Sequence, residues 1–165
     1  MSAPVKREEP DTARAATVWP VLLLLVESSP QDAETTRRAF VSTGVADTCI
    51  VHCATAEEAI DFLERRGPRL ERTGALLPRL MILGLDTPGL DGEDMLRRLR
   101  TSDHWRAMPV VVLASSARVT DVESYYRLGA NGYLVKPRSR EALVELVEKT
   151  KRYWFDTVLT PPVRR

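Results

Sequence analysis

The sequence predicts an α/β fold, a doubly wound five-stranded parallel sheet with five helices. Three observations predict it. Short apolar runs of strand length recur at residues 21–26 (VLLLLV), 48–53 (TCIVHC), 80–83 (LMIL), 110–116 (VVVLASS) and 132–136 (GYLVK). Segments with apolar residues at helical spacing lie between and after them, with capping residues at their starts. Regular alternation of strand and helix calls for a parallel sheet with helices on both faces, which makes each strand a continuous apolar run.

The elements follow in order. Residues 1–18 are polar, charged and unpatterned, and read as a disordered arm. The run VLLLLV is the first strand. Ser29 is placed to cap the first helix with Pro30 at its first position, and Gly44 closes it. Ala33, Thr36, Arg37, Phe40 and Val41 follow at helical spacing, with Phe40 as the core anchor. Residues 48–53 form the second strand. Thr55 and Glu58 make a capping box, and Ala59, Phe62 and Leu63 supply the buried stripe of the second helix. The stretch from Gly67 to Pro78 reads as a long surface loop.

Leu80 to Leu83 is the third strand. Asp91 is placed to cap a third helix, with Met95, Leu96 and Leu99 facing inward. Pro109 introduces the fourth strand. A short helix spans about 118–128 and ends at Gly129. Gly132 to Lys136 is the fifth strand. Ser139 caps the last helix, with Leu143, Leu146, Val147 and Trp154 inward. The tail LTPPVRR cannot continue a helix through two prolines. The domain is thus expected over 19–157, with 158–165 as a tail too short to hold a further output domain.

Composition narrows the function classes. The 165 residues suit one domain with an ordinary core. Lys plus Arg total 24 and Asp plus Glu 23, so a net charge of +1 gives no drive toward nucleic acid or an anionic membrane. The clusters Arg97, Arg98, Arg100 and Arg164, Arg165 read as solvated surface. Cys49 and Cys53, in one strand, would share a face about 13 Å apart, too far for a disulfide. They read as small buried hydrophobes of a reducing cytoplasm. His52 lies between them and His104 is remote, so the spacing offers no metal site. The run VLLLLV is too short to span a membrane and lacks a signal-peptide cleavage site.

In a doubly wound sheet the site lies at the carboxyl ends of the strands. Those ends carry Glu27 and Ser28, Gly84 and Asp86, Ala114 and Ser115, and Lys136. The segments VLLLLVESSPQD, PRLMILGLDTPGLDG, PVVVLASS and GANGYLVKP occur in this order. Together they resemble the signature segments of response-regulator receiver domains, the CheY-like superfamily, over roughly residues 20–155. The loop before Pro78 and the ending KRYWFDTVLTPP resemble the single-domain regulators paired with phytochrome-type histidine kinases.

The resemblance implies a flavodoxin-like sheet of order 2-1-3-4-5. It also implies a phosphorylation site: two acids after the first strand and an acceptor aspartate after the third hold magnesium. A hydroxyl after the fourth strand and a lysine after the fifth contact the phosphoryl group. Such a site neutralises the charge of an in-line transition state. Carried over by position, Glu27 is the first acid and Ser28 replaces the second. Gly84 stands at the acceptor position and Ala114 at the hydroxyl position, with Ser115 adjacent. Lys136 is kept, before Pro137. Tyr133 matches the aromatic residue whose rotation reports activation.

The expectation is an atypical receiver that is not an enzyme, takes no cofactor and binds magnesium weakly or not at all. It would act through a protein partner such as a histidine kinase, or as a homodimer, with no nucleic acid or membrane. Glu27 and Lys136 are expected to pair. Ser115 is expected to pack at the core edge, and Lys136–Pro137 to carry a cis bond. Tyr125, Tyr126, Tyr133, Tyr153, Trp154 and Phe155 are expected on a docking face made by the fourth helix, fifth strand and last helix. Two alternatives stay open: phosphorelay chemistry on a displaced acceptor, Asp86, and a small-molecule-binding flavodoxin-like domain using the space near Gly84.

Overall fold

The computed structural model describes residues 22–64, 78–85 and 92–161. The expected arm, the long loop before Pro78, Asp86, the capping role of Asp91, and Arg164 and Arg165 all lie outside the described residues. The elements are β1 (Leu22–Val26), α1 (Pro30–Ser42), β2 (Ile50–Cys53), α2 (Ala56–Leu63), β3 (Pro78–Gly84) and α3 (Gly92–Thr101). They continue with β4 (Val110–Ala114), α4 (Val119–Arg127), β5 (Gly132–Val135) and α5 (Arg140–Lys151). All five strands are parallel in the order β2-β1-β3-β4-β5.

Side chains alternate across this sheet and build two cores. Leu24, Val26, Met81, Leu83 and Val112 meet Phe62, Met95, Leu96 and Leu99 on the face covered by α2 and α3. Leu23, Leu25, Leu80, Ile82, Val111 and Leu113 meet Phe40, Leu143 and Val147 under α1 and α5. The central strands are therefore dry on both sides, which explains their unbroken apolar runs.

Local signals set the element ends. The Ser29 hydroxyl accepts from the Asp32 amide, and the Ser139 hydroxyl from the Ala142 amide. Gly44 and Gly129 follow their helices with φ of 95° and 94°, the left-handed geometry that closes a helix. Thr55 caps α2 by accepting from the Glu58 amide. The Glu58 carboxylate reaches back one residue further than a capping box requires, accepting from the Ala54 amide at 3.0 Å.

Three expectations are corrected. The second strand starts at Ile50, because Asp47–Cys49 is a 3-10 turn closed by the Cys49 amide on the Ala46 carbonyl. Cys49 is consequently half-buried and off the strand, while Cys53 is fully buried. The Lys136–Pro137 bond is trans, as are all described peptide bonds. As expected, the last helix carries the chain past Trp154, its final turn, Arg152–Thr157, being π-helical.

Arg100 is the third correction. It is not a solvated surface arginine. Its guanidinium donates to the carbonyls of Gly129, Arg106 and Met108 and to the Asn131 side chain. Burial pushes its pKa below the usual arginine value. One side chain thus ties the end of α3 to the loop before β4 and to the turn between α4 and β5.

Candidate functional site

Strand register brings the predicted site residues to one edge. Val26 pairs with Cys53 and Leu83, Gly84 with Leu113, and Ala114 with Val135. Glu27, Gly84, Ala114 and Lys136 therefore emerge side by side where the strands end. Glu27 is anchored by its backbone. Its amide donates to the Cys53 carbonyl at 3.0 Å, and its carbonyl accepts from His52 Nε2 at 2.7 Å.

The Glu27 carboxylate turns inward and is 1% exposed as a residue. Its Oε1 accepts from the Ser29 amide at 3.0 Å, and its Oε2 lies 3.0 Å from Lys136 Nζ. The expected ion pair therefore forms. Asp32, in the first turn of α1, joins it with Oδ2 at 2.9 Å from the same ammonium. The sequence reading did not single out Asp32, since its place in the first turn after the Ser29 cap does not tell which way it faces. A single ammonium thus bridges one buried carboxylate and one partly exposed carboxylate, so the Glu27 charge is compensated where it is buried.

Gly84 makes this possible. A β-carbon at Gly84 would overlap Glu27 Oε2 and lie 2.9 Å from Glu27 Cδ, with the Val26 carbonyl 3.3 Å away. The glutamate therefore fills the space that any side chain at position 84 would need. Ser28 adds a buried hydroxyl oxygen with no hydrogen-bond partner among the described residues. Among the described residues, no group of three or more His, Cys, Asp or Glu side chains is placed to hold a metal ion. Asp86 lies outside the described residues.

The edge of β4 departs from expectation. Ser115 is exposed rather than packed at the core edge, because burial ends at Ala114 and the chain bends there. Ser116 is another residue the sequence reading missed. Its hydroxyl donates to Asp121 at 2.6 Å, and its carbonyl accepts from the Tyr133 hydroxyl at 3.0 Å. The Ser116 hydroxyl, then Arg118, hold the Asp121 carboxyl below its usual range. Tyr133 thus lies tucked beside the Ala114 end of β4, with its ring centroid 6.1 Å from that of Tyr125.

The six aromatic residues do not form one cluster. Tyr125 and Tyr133 are half-buried against the core under α2 and α3. Trp154 and Phe155 pack on the opposite core, beneath α1 and α5. Only Tyr126 and Tyr153 are exposed, at 50% and 52%. Val119 and Val135 are also exposed, on α4 and β5.

This fold and edge match a known family. The model of the response regulator receiver domain matches residues 23–148. The chain belongs to the response regulator receiver family. It is a receiver domain of two-component signalling. Among curated proteins, it is similar to the probable methanogenesis regulatory protein FilR2 of Methanothrix harundinacea. They are 36% identical over 82% of this chain and 84% of that protein. It is also similar to the response regulator Rcp1 of Synechocystis, 30% identical over 86% of this chain and 94% of the relative.

Solved receivers agree. The phosphorylated cyanobacterial phytochrome response regulator RcpA superposes with a TM-score of 0.75, at 27% identity over 86% of this chain and 99% of that one. A response regulator in red light signalling of R. palustris superposes with a TM-score of 0.79, at 26% identity and the same coverage of both chains. No described helix of this receiver is long and apolar enough to cross a membrane.

Proposed function

We propose that this receiver signals by protein–protein contact without an aspartyl phosphate at the end of β3. The observation that carries the reading is the Glu27 carboxylate lying in the space over Gly84, bound to Lys136 and the Ser29 amide. Gly84 has no nucleophile. Glu27 carries one, but its side chain is 2% exposed and its oxygens are engaged, so no donor can approach in line. The lysine that would contact a phosphoryl group in the family is already neutralising carboxylates.

The family's metal ion fits these residues poorly. Magnesium takes several oxygen ligands in near-octahedral geometry. Here an ammonium stands between Glu27 and Asp32, and Ser28 and Gly84 supply no carboxylate. The chain is read as a non-enzymatic, cytoplasmic signalling element. Its partner is a histidine kinase or another signalling protein, and its likeness to phytochrome response regulators supports a photoreceptor-type pathway. The exposed Val119, Tyr126, Val135 and Tyr153 support a homodimer through α4, β5 and α5.

The test is direct. Acetyl phosphate, or beryllofluoride with magnesium, leaves the tryptophan fluorescence and oligomeric state unchanged. A stoichiometric, hydroxylamine-sensitive phosphoryl adduct overturns the reading. Repeating the labelling with Asp86→Asn then tells whether that residue carries the adduct.

A further inference from the structure

A second concave site lies on the other side of Lys136, between the first turns of α1 and α5. It is a cleft of about 270 Å³ whose walls include Asp32, Thr36, Lys136, Arg138, Ser139 and Arg140. Three of these six are cations and one is an anion. Arg138 and Arg140 are exposed and have no ion-pair partner among the described residues. Paired surface arginines are common on this chain, as at Arg37, Arg38, Arg97 and Arg118. Two unpaired ones at a cleft are therefore a local excess of positive charge.

Thr36 gives an independent pointer. It is 2% exposed, yet its hydroxyl lines the cleft and has no hydrogen-bond partner among the described residues. The hydroxyl is not sealed off, since among the described residues Ser28 alone holds a fully buried unpaired side-chain oxygen, so Thr36 keeps a free hydroxyl that a ligand in the cleft can meet. The neighbouring helix start adds donors. Ser139 takes the Ala142 and Leu143 amides with its hydroxyl and carbonyl. The two preceding amides of this 12-residue helix, at Arg140 and Glu141, have no acceptor inside the helix.

We propose that this cleft binds a phosphate-type oxyanion. Arg138 and Arg140 supply forked donors, Thr36 a hydroxyl, and the start of α5 its amides and positive dipole end. Asp32 is the chain's own competitor for the site. Its carboxylate is 43% exposed and holds Lys136 from the cleft side. An entering anion displaces Asp32 from Lys136, while Glu27 keeps its buried bond to the same ammonium. The cleft thereby connects an external anion to the ion cluster above Gly84. The inference stands on the α1–α5 cleft and does not depend on whether the chain is phosphorylated elsewhere.

The experiment titrates the full chain, without magnesium, with inorganic phosphate and separately with glycerol phosphate, at ionic strength matched by chloride. Amide chemical shifts at Thr36 and Ser139–Ala142 report binding. Saturable shifts are expected with phosphate, and shifts with the ester as well identify a monoester as an accepted form. Arg138→Ala with Arg140→Ala weakens binding about tenfold or more. Asp32→Asn tightens it by several-fold, a change of sign that a merely structural role would not give. Shifts no larger than those with chloride, or unchanged affinity in the double arginine variant, overturn the proposal.

Discussion

Glu27 and Gly84 share one volume: the carboxylate of the first lies where the β-carbon of the second would be. The two residues come from adjacent strands, β1 and β3, that end in register. Packing against Glu27 therefore favours glycine at 84, with no appeal to unusual backbone angles.

Gly84→Ala follows from this overlap. The methyl group displaces a buried carboxylate and presses on the Val26 carbonyl, costing about 2 kcal/mol of stability in urea unfolding. In a Glu27→Ala background the same substitution costs less, giving a coupling of about 1 kcal/mol or more in a double-mutant cycle. Additive effects would show that the two side chains do not compete.

Lys136→Met tests the cluster from the other side. The Glu27 carboxylate then remains buried without its ammonium, and stability falls by about 3 kcal/mol. Adding Glu27→Gln recovers a large part of the loss, because the uncompensated charge is gone. Equal stability of the single and double variants would contradict this account.

Arg100 predicts a purely structural loss. Arg100→Ala leaves the carbonyls of Gly129, Arg106 and Met108 without this donor and lowers stability by about 2 kcal/mol. Arg100→Lys rescues little, since an ammonium cannot span the same fork of acceptors. Thermal unfolding of both variants measures it.

Acid should weaken α1 locally. Hydrogen bonds from Arg37, then Arg38, lower the Glu34 pKa from its ordinary 4.5 to about 2. A lowered folded-state pKa means the stabilisation is present above about 4.5 and is lost as pH falls through about 2. The group is solvent-exposed, so the effect is small and salt-screened. The melting temperature of Glu34→Gln should converge on the parent as pH drops across this window, and added salt should narrow the gap at neutral pH.

The proposed dimer gives the last prediction. Tyr126→Ala with Tyr153→Ser removes two half-exposed rings and the Tyr153–Trp154 edge contact, lowering stability by about 1 kcal/mol. Self-association measured by sedimentation weakens about tenfold or more. A parent chain that is monomeric at every concentration would remove the basis for this face.

The fold was legible because its signals are local and repeated. Apolar runs, Ser29, Ser139 and Gly129 each act within a few residues, and each does in the structure what its spacing implied. The Glu27–Lys136 pair was legible because both residues end strands. Asp32 and Ser116 were not, because their roles depend on which way a helix start or loop carbonyl faces after folding. Arg100 was misread for a related reason. Nothing in its sequence neighbourhood shows that three carbonyls converge on it from other segments.

The shared volume of Glu27 and Gly84 also means that neither position can be made acidic or shortened alone without cost. Changing Gly84 to aspartate alone would crowd two carboxylates around a single lysine, at the moment when neither has a metal to hold. Shortening Glu27 first would take from Lys136 its buried carboxylate partner. Each single step toward an acidic pocket thus crosses a less stable intermediate. Building an acidic pocket here is therefore a concerted change of positions 27, 28 and 84.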